Sequence, residues 1–189
     1  MALTLTGSHL SLVPLQAADR DALLEAAADG QMWDLPFTWV PGPETVDAYI
    51  AKALKERDQG TTIPFRIVTE GRVVGSTRFW KLDRDNRQVE IGGTWYGRAW
   101  QGSGLNTEAK FLMLRYAFED LGLIRVQFTA DETNTRSQAA ILKLGAVFEG
   151  PIRYERIMPD GRRRNSFRYS LIEPEWPEVK ARLLARLSA

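Results

Sequence analysis

The sequence predicts one α/β domain, and three observations carry that expectation. Its 189 residues match the roughly 100–200 of a single domain, and no linker, repeat or low-complexity stretch breaks residues 1–189. Hydrophobic residues make up 44% of the chain, enough for a continuous core that needs no metal or disulfide staple. Segments of strand periodicity and of helix periodicity together fill most of its length.

Residues 9–15 (HLSLVPL) alternate apolar and polar, as a strand does. Asp19 to Ala28 is an alanine- and leucine-rich helix, closed by Asp29-Gly30. Met32 to Pro43 reads as a loop that sets Trp33, Phe37 and Trp39 among three prolines. Glu44 to Asp58 is a second helix, with Val46, Tyr49, Ile50, Ala53 and Leu54 on one face and Gly60 past its end. Strands follow at Phe65–Thr69, Val73–Leu82 and Gln88–Tyr96, joined by Glu70-Gly71-Arg72 and by a polar turn over 83–87. The glycine-spotted stretch Gly97–Gly104 leads into a helix from Leu105 to Leu121, where Leu105, Ala109, Leu112 and Tyr116 recur at helical spacing; Gly122 ends it. Ile124–Ala130 is a strand, Thr133–Leu144 a helix closed by Gly145, and Ala146–Glu149 begins another strand. Arg153–Met158 and Asn165–Ile172 flank Pro159-Asp160-Gly161-Arg162, a hairpin signal. Pro174 marks a last helix, to which Trp176, Val179, Leu183 and Leu187 give one apolar face.

Composition removes several functions. The chain has no cysteine, hence no disulfide, thiolate metal site or cysteine nucleophile. A single histidine, His9, leaves no material for a His-centred triad or a multi-His zinc site, so no metal is expected. Twenty-five basic against 24 acidic residues give a formal charge of +1, with no general pull toward nucleic acid or an anionic membrane. Arg162-Arg163-Arg164 at the hairpin turn reads as a solvated charge cluster. No apolar run approaches the ~20 residues that span a bilayer, and the N-terminus lacks the basic and apolar regions of a signal peptide. The expected location is cytoplasmic.

The chemistry concentrates in Gln101-Gly102-Ser103-Gly104-Leu105-Asn106, between a strand and a long helix. Glycines there let the backbone approach a ligand closely. The first amides of the helix point outward unpaired, and the dipole adds partial positive charge, which together make a pyrophosphate cradle. A Walker A loop is excluded, because this loop ends Gly-Leu-Asn-Thr rather than Gly-Lys-Ser/Thr. A dinucleotide fingerprint is short of a glycine, since Thr107 stands at its third position. The remaining pattern, Gln/Arg-x-x-Gly-x-Gly/Ala, fits Gln101 and Gly104, with Asn106 where Gly or Ala is usual. In this the segment resembles the acyl-CoA loop of the GNAT superfamily of N-acetyltransferases. Asn134-Thr135-Arg136-Ser137, followed by Lys143-Leu144-Gly145-Ala146, resembles the N-x-x-S…K-x-G-Phe signature of its Rim-type branch, Ala146 replacing the common Phe. The likeness covers residues 9–172 and leaves only a C-terminal amphipathic helix, 173–189, outside it.

The resemblance implies a mixed, mostly antiparallel sheet of about six or seven strands, splayed between its fourth and fifth strands, with helices on both faces. It implies acetyl-CoA as donor and a primary amine as acceptor (a protein N-terminus or a small molecule), joined by direct attack in a ternary complex. Pantetheine would pair with the backbone of Thr94, Trp95 and Tyr96, and the diphosphate would rest on Gln101, Gly102, Ser103, Gly104, Leu105, Asn106 and Thr107. An amide near Trp95 or Tyr96 would receive the developing oxyanion.

An acceptor ammonium must first lose a proton, and Glu90 is the candidate base, directly or through a water; its other readings are a cross-strand ion pair, for instance with Arg78, and a substrate anchor. Ser137 is the candidate donor to the leaving thiolate, or else a first-turn helix residue capping backbone. Asn134 would contact pantetheine, cap its helix, or both. Lys143 would reach a phosphate or lie exposed in solvent. Tyr154 and Tyr169 are alternative acids, and Trp33, Phe37 and Trp39 would line the amine pocket or form core. Three alternatives stay open: a succinyl or longer donor read by Arg78 or Arg153, a non-catalytic acyl-CoA-binding module, and a homodimer built on the tail helix and hairpin.

Overall fold

The structure, a computed structural model, describes residues 3–158 and 160–188. Pro159 of the expected hairpin turn therefore lies outside the described residues. In chain order the elements are β1 (Leu5–Thr6), β2 (Ser11–Pro14), α1 (Arg20–Ala28), α2 (Val46–Asp58), β3 (Ile63–Thr69), β4 (Arg72–Asp83), β5 (Gln88–Tyr96), α3 (Leu105–Arg115), β6 (Arg125–Asp131), α4 (Thr135–Leu144), β7 (Val147–Ile157), β8 (Arg163–Ile172) and α5 (Trp176–Leu187). Among the described residues eight strands form one sheet in the order β1-β2-β3-β4-β5-β6-β8-β7. Every neighbouring pair is antiparallel except β5 and β6.

Three departures from the sequence reading have physical causes. The first strand is a two-residue piece, too short for alternation to register. The segments expected at Ala146–Glu149 and Arg153–Met158 are one strand, β7, whose pairing with β8 shifts between Phe148 and Gly150 and again between Ile152 and Arg156. Pro151 is tolerated there because β7 is the last strand of the sheet and one side of it needs no donor. The helix expected to run to Leu121 ends as an α-helix at Arg115 and widens into a π-helical turn over Tyr116–Asp120.

The core has two parts, one on each face of the sheet. Phe65, Phe79, Leu112, Met113 and Leu171 pack under α3 and α5, whereas Leu15, Leu23, Ile50 and Trp95 pack with α1 and α2. Strand alternation therefore sends Thr77 and Phe79 of β4 toward α3, and Ser76, Arg78 and Trp80 toward α2.

The central feature is an opening in the sheet. β5 and β6 pair only where Gln88, Val89 and Glu90 meet Arg125, Val126 and Gln127. Past Glu90, β5 stays with β4 as far as Tyr96, while β6 stays with β8 as far as Asp131. The strands part into a V, and the facing edge of β5 is left without a strand partner. This is the expected splay, displaced by one strand number because β1 precedes it. No helix among the described residues is long and apolar enough to cross a membrane.

Candidate active site

The V opens into a cleft of about 670 Å³ that passes through the sheet. Its α3 side begins at the glycine loop. Gly102 (φ +82°) and Gly104 (φ +88°) both take left-handed backbone, and Gly104 turns the chain into α3. Among the described residues the amides of Gly102 to Asn106 meet no backbone acceptor, whereas the Thr107 amide bonds the Gly104 carbonyl at 2.9 Å. The run of free amides is thus Gly102–Asn106, with the Thr107 amide outside it and the Thr107 hydroxyl accepting from Arg186 at 3.4 Å. Leu105 contributes its amide while its side chain joins the core. Ser103 Oγ donates to the Trp100 carbonyl (2.6 Å) and so shapes the loop. Gln101 Nε2 donates to the Tyr96 carbonyl at 3.1 Å, and its Oε1 accepts from Arg136 of α4, which ties the loop to the far side of the V.

On that far side Asn134 is the cap of α4, its Oδ1 accepting from the Ser137 amide at 3.0 Å, and both residues line the cleft. Capping and cleft placement coexist there. Lys143, in contrast, is exposed on α4 outside the cleft. Tyr154 is exposed on β7, and Tyr169 is buried against Phe148; neither lines the cleft. The Tyr96 hydroxyl is buried without a partner, and burial together with the Glu108 carboxylate pushes its phenol far above the usual range.

Sequence reasoning missed Lys110. It sits on α3 only 6% exposed and reaches the cleft, donating to Thr94 Oγ1 of β5 at 2.6 Å and Thr77 Oγ1 of β4 at 3.3 Å. Burial lowers its pKa to about 7. The only signal was a charge between Ala109 and Phe111, which looks like the solvent face of any helix until α3 is seen to be covered on nearly every side. The unfolded chain holds the lysine proton up to about pH 10, the folded chain only to about 7. Folding therefore carries the full penalty below pH 7, and stability rises with pH from there toward 10. Lys110→Met is expected to raise unfolding stability at pH 6 by roughly 2–4 kcal/mol and to flatten that rise. Denaturant titrations at pH 6 and 9 check it. Thr77 and Thr94 remain bonded to each other at 2.8 Å, so the variant strands neither hydroxyl.

The α2 side of the cleft holds the aromatic loop. Phe37 and Trp39 line it, Trp39 being 61% exposed. Trp33 does not; it packs against Gly42 and the core of α1 and α2. The hairpin arginines correct the solvated-cluster reading. Arg162 donates to the Pro36 carbonyl at 3.0 Å and buried Arg164 to the Phe37 carbonyl at 3.3 Å, and only Arg163 is exposed. Both converge on Asp131 at the end of β6, at 2.7 and 3.6 Å. Burial pushes the Asp131 carboxyl up, but Arg162 and the Thr133 amide and hydroxyl outweigh it and hold it below the usual carboxylate range.

Glu90 sits at the vertex of the V, 1% exposed. Its Oε2 accepts from Lys81 Nζ at 2.7 Å and Gln127 Nε2 at 2.9 Å, so the structural pair is with Lys81 and not Arg78. Its Oε1 is buried with no partner. A fixed carboxylate with one unused oxygen at a cleft is built to accept a proton or hold an ammonium. Among the described residues no cluster of three or more metal-ligating side chains exists.

The acetyltransferase (GNAT) domain family matches residues 9–147. The "Putative ribosomal N-acetyltransferase YdaF" of Bacillus subtilis is 27% identical over 180 residues, covering 91% of this chain and 96% of its own. A "putative acetyltransferase" of T. thermophilus superposes with a TM-score of 0.86 at 37% identity, covering 97% of this chain and 96% of its own. RimJ of Mycobacterium smegmatis, solved with a CoA disulfide, shares the fold at a TM-score of 0.80 and 23% identity, covering 94% of this chain and 88% of its own.

Proposed function

The chain belongs to the GNAT acetyltransferase family, and we propose how its own residues transfer an acetyl group from acetyl-CoA to a primary amine. The observation that carries the reading is the V: a free strand edge, a ring of unpaired amides and a buried carboxylate with a spare oxygen, all on one cleft. Acetyl-CoA supplies an activated acyl group on a good leaving thiol. The Gly102–Asn106 amides and the positive end of α3 fit its diphosphate. The unpaired edge of β5 offers the peptide-like pantetheine the partners a missing strand would have given. Lys110 and Thr94 face the same channel and add donors to it.

Glu90 Oε1 takes the proton from the acceptor ammonium, directly or through a water, while Lys81 and Gln127 fix the other oxygen. An amide at Trp95 or Tyr96 stabilises the developing oxyanion, and the Ser137 hydroxyl donates toward the departing sulfur. The acceptor enters from the α2 side, past Phe37 and Trp39. Its class is a protein N-terminus or a small-molecule amine, and the likeness to a relative named as a putative ribosomal N-acetyltransferase supports a protein acceptor.

Calorimetry should find CoA binding, and thiol release from acetyl-CoA should need an amine. A screen of amines and peptides with acetyl- and succinyl-CoA that released no thiol above hydrolysis, despite CoA binding, would leave a binding module. Ser137→Ala is expected to lower kcat roughly 10- to 100-fold, the value of a hydrogen bond to a charged group, with CoA affinity little changed. Single-turnover thiol release measures it.

A further inference from the structure

The α2 side of the cleft holds a buried cation with no counter-ion. Arg78 lines the cleft and is 5% exposed. Among the described residues it meets no carboxylate within ion-pair distance and its Nε is buried with no partner. Four cations near it are matched, Lys81 by Glu90 at 2.7 Å, Arg156 by Glu155 at 3.8 Å, Arg164 by Asp131 at 3.6 Å and Lys52 by Glu56 at 3.9 Å, while Arg98 at the rim is exposed to solvent. A buried charge without a partner is strongly destabilising, so a fold that keeps one has a use for it.

Arg78 is nevertheless held in place. Its guanidinium lies over the Tyr49 ring at 4.9 Å, and Tyr49 is fixed in turn by Ser76 at 3.2 Å and Trp95 Nε1 at 3.3 Å. Stacking of this kind orients a guanidinium and leaves its N–H fork free. The strand opposite has been cleared for it: a Cβ at Gly93 would come within 2.9 Å of Arg78 Nε, and one at Gly92 within 2.9 Å of Trp80 Nε1. That indole N–H is also buried and unpartnered. Arg78 pairs in register with Gly92 and Trp80 with Glu90, so Arg78, Trp80 and Glu90 share one face. Diagonal neighbours on such a face stand about 7–8 Å apart at the backbone, within joint reach of long side chains.

We propose that Arg78, with Trp80, binds a carboxylate of the acceptor, which is therefore an amine bearing a carboxylate a few bonds from its nitrogen. A free α-amino acid has this chemistry, and so has a peptide whose first residue is acidic. The inference rests on the reading above, in which Glu90 receives the amine. The guanidinium lies on the α2 face, opposite the diphosphate cradle, and this favours the acceptor over a dicarboxylic acyl donor as the bearer of the charge.

The test uses the full chain and matched ligands: phenylalanine and leucine against their amides, and Asp-led against Asn-led tripeptide amides. With acetyl-CoA, kcat/KM for the carboxylate member is expected to exceed its neutral twin by about 30-fold or more, the usual loss when one partner of a buried charge pair is removed. Arg78→Gln brings that ratio close to one and Arg78→Lys keeps part of it, whatever the absolute rates. In a second arm, CoA-saturated protein is titrated with N-acetylphenylalanine and N-acetylphenylalaninamide, which removes differences in amine basicity. Neutral and charged twins behaving alike in both arms would overturn the proposal. So would a matching preference for succinyl- over acetyl-CoA that Arg78→Gln abolishes, because the carboxylate would then belong to the donor. Arg78-dependent preference in the binding arm with no turnover of any amine would keep the carboxylate site and sink the catalytic role of Glu90. Turnover blind to the carboxylate would do the reverse. Preference among free amino acids but not peptides, or the opposite, identifies the source.

Discussion

Glu90→Gln is expected to lower kcat about 10²- to 10⁴-fold, the range for loss of a positioned base. The substitution keeps the shape at the vertex of the V, and Lys81 retains Glu155 at 3.8 Å as a second carboxylate. Loss of the base leaves a signature that a misfolded site lacks. With no group to collect the proton, the variant depends on amine that is already neutral. Its rate then rises about tenfold per pH unit until the acceptor's own pKa, about 8 for an α-amino group or about 10 for a lysine. Stopped-flow thiol release between pH 6 and 10 checks this. A wild-type rate, or a reduced rate with the wild-type pH profile, would remove Glu90 as base.

Gly102→Asp is expected to raise the CoA dissociation constant about 100-fold, while its left-handed backbone lowers fold stability by only about 1 kcal/mol. A Cβ at Gly102 meets no atom within 4 Å, so the carboxylate projects over the open cradle. Aspartate tolerates the left-handed φ of +82° better than most side chains. Opposite a diphosphate, each pair of like charges costs several kcal/mol at close range and moderate dielectric. The penalty should shrink with added salt, because charges near solvent are screened. Calorimetry at two ionic strengths, beside a denaturant titration, separates electrostatic repulsion from collapse of the loop. Gly102→Ala, with the same backbone demand and no charge, should keep most of the affinity.

The parts of this molecule legible in sequence are those with local physical causes. Gln88–Tyr96 was bounded correctly because alternation and a polar turn fix its start and Gly97 follows its end. The loop that opens α3 is legible because Gly102 and Gly104 sit directly before a strongly periodic helix. Lys110 and Arg78 were not legible as site residues, since their burial depends on what lies across from them: Thr94 in one case, Gly93 and the Tyr49 ring in the other. For the same reason Arg162 and Arg164 read as solvated charges, their partners Pro36, Phe37 and Asp131 being remote in the chain. Trp33 and Lys143 show the opposite case: their local context suits a site, and the fold packs the first against the core of α1 and α2 and leaves the second exposed outside the cleft.

A bulge at Gly93 of β5 (φ +58°), opposite the register shift between Ser76 and Arg78, resets the strand's alternation and has a further outcome. Glu90 and Trp95 address the α2 face while Thr94 addresses α3, so one ribbon of backbone is read from two sides. On the proposed assignment, changes to the residues that choose an acceptor need not disturb those that seat the donor. A lineage can therefore diversify its clientele by drift on one surface of a single strand, keeping its fuel supply unaltered on the other.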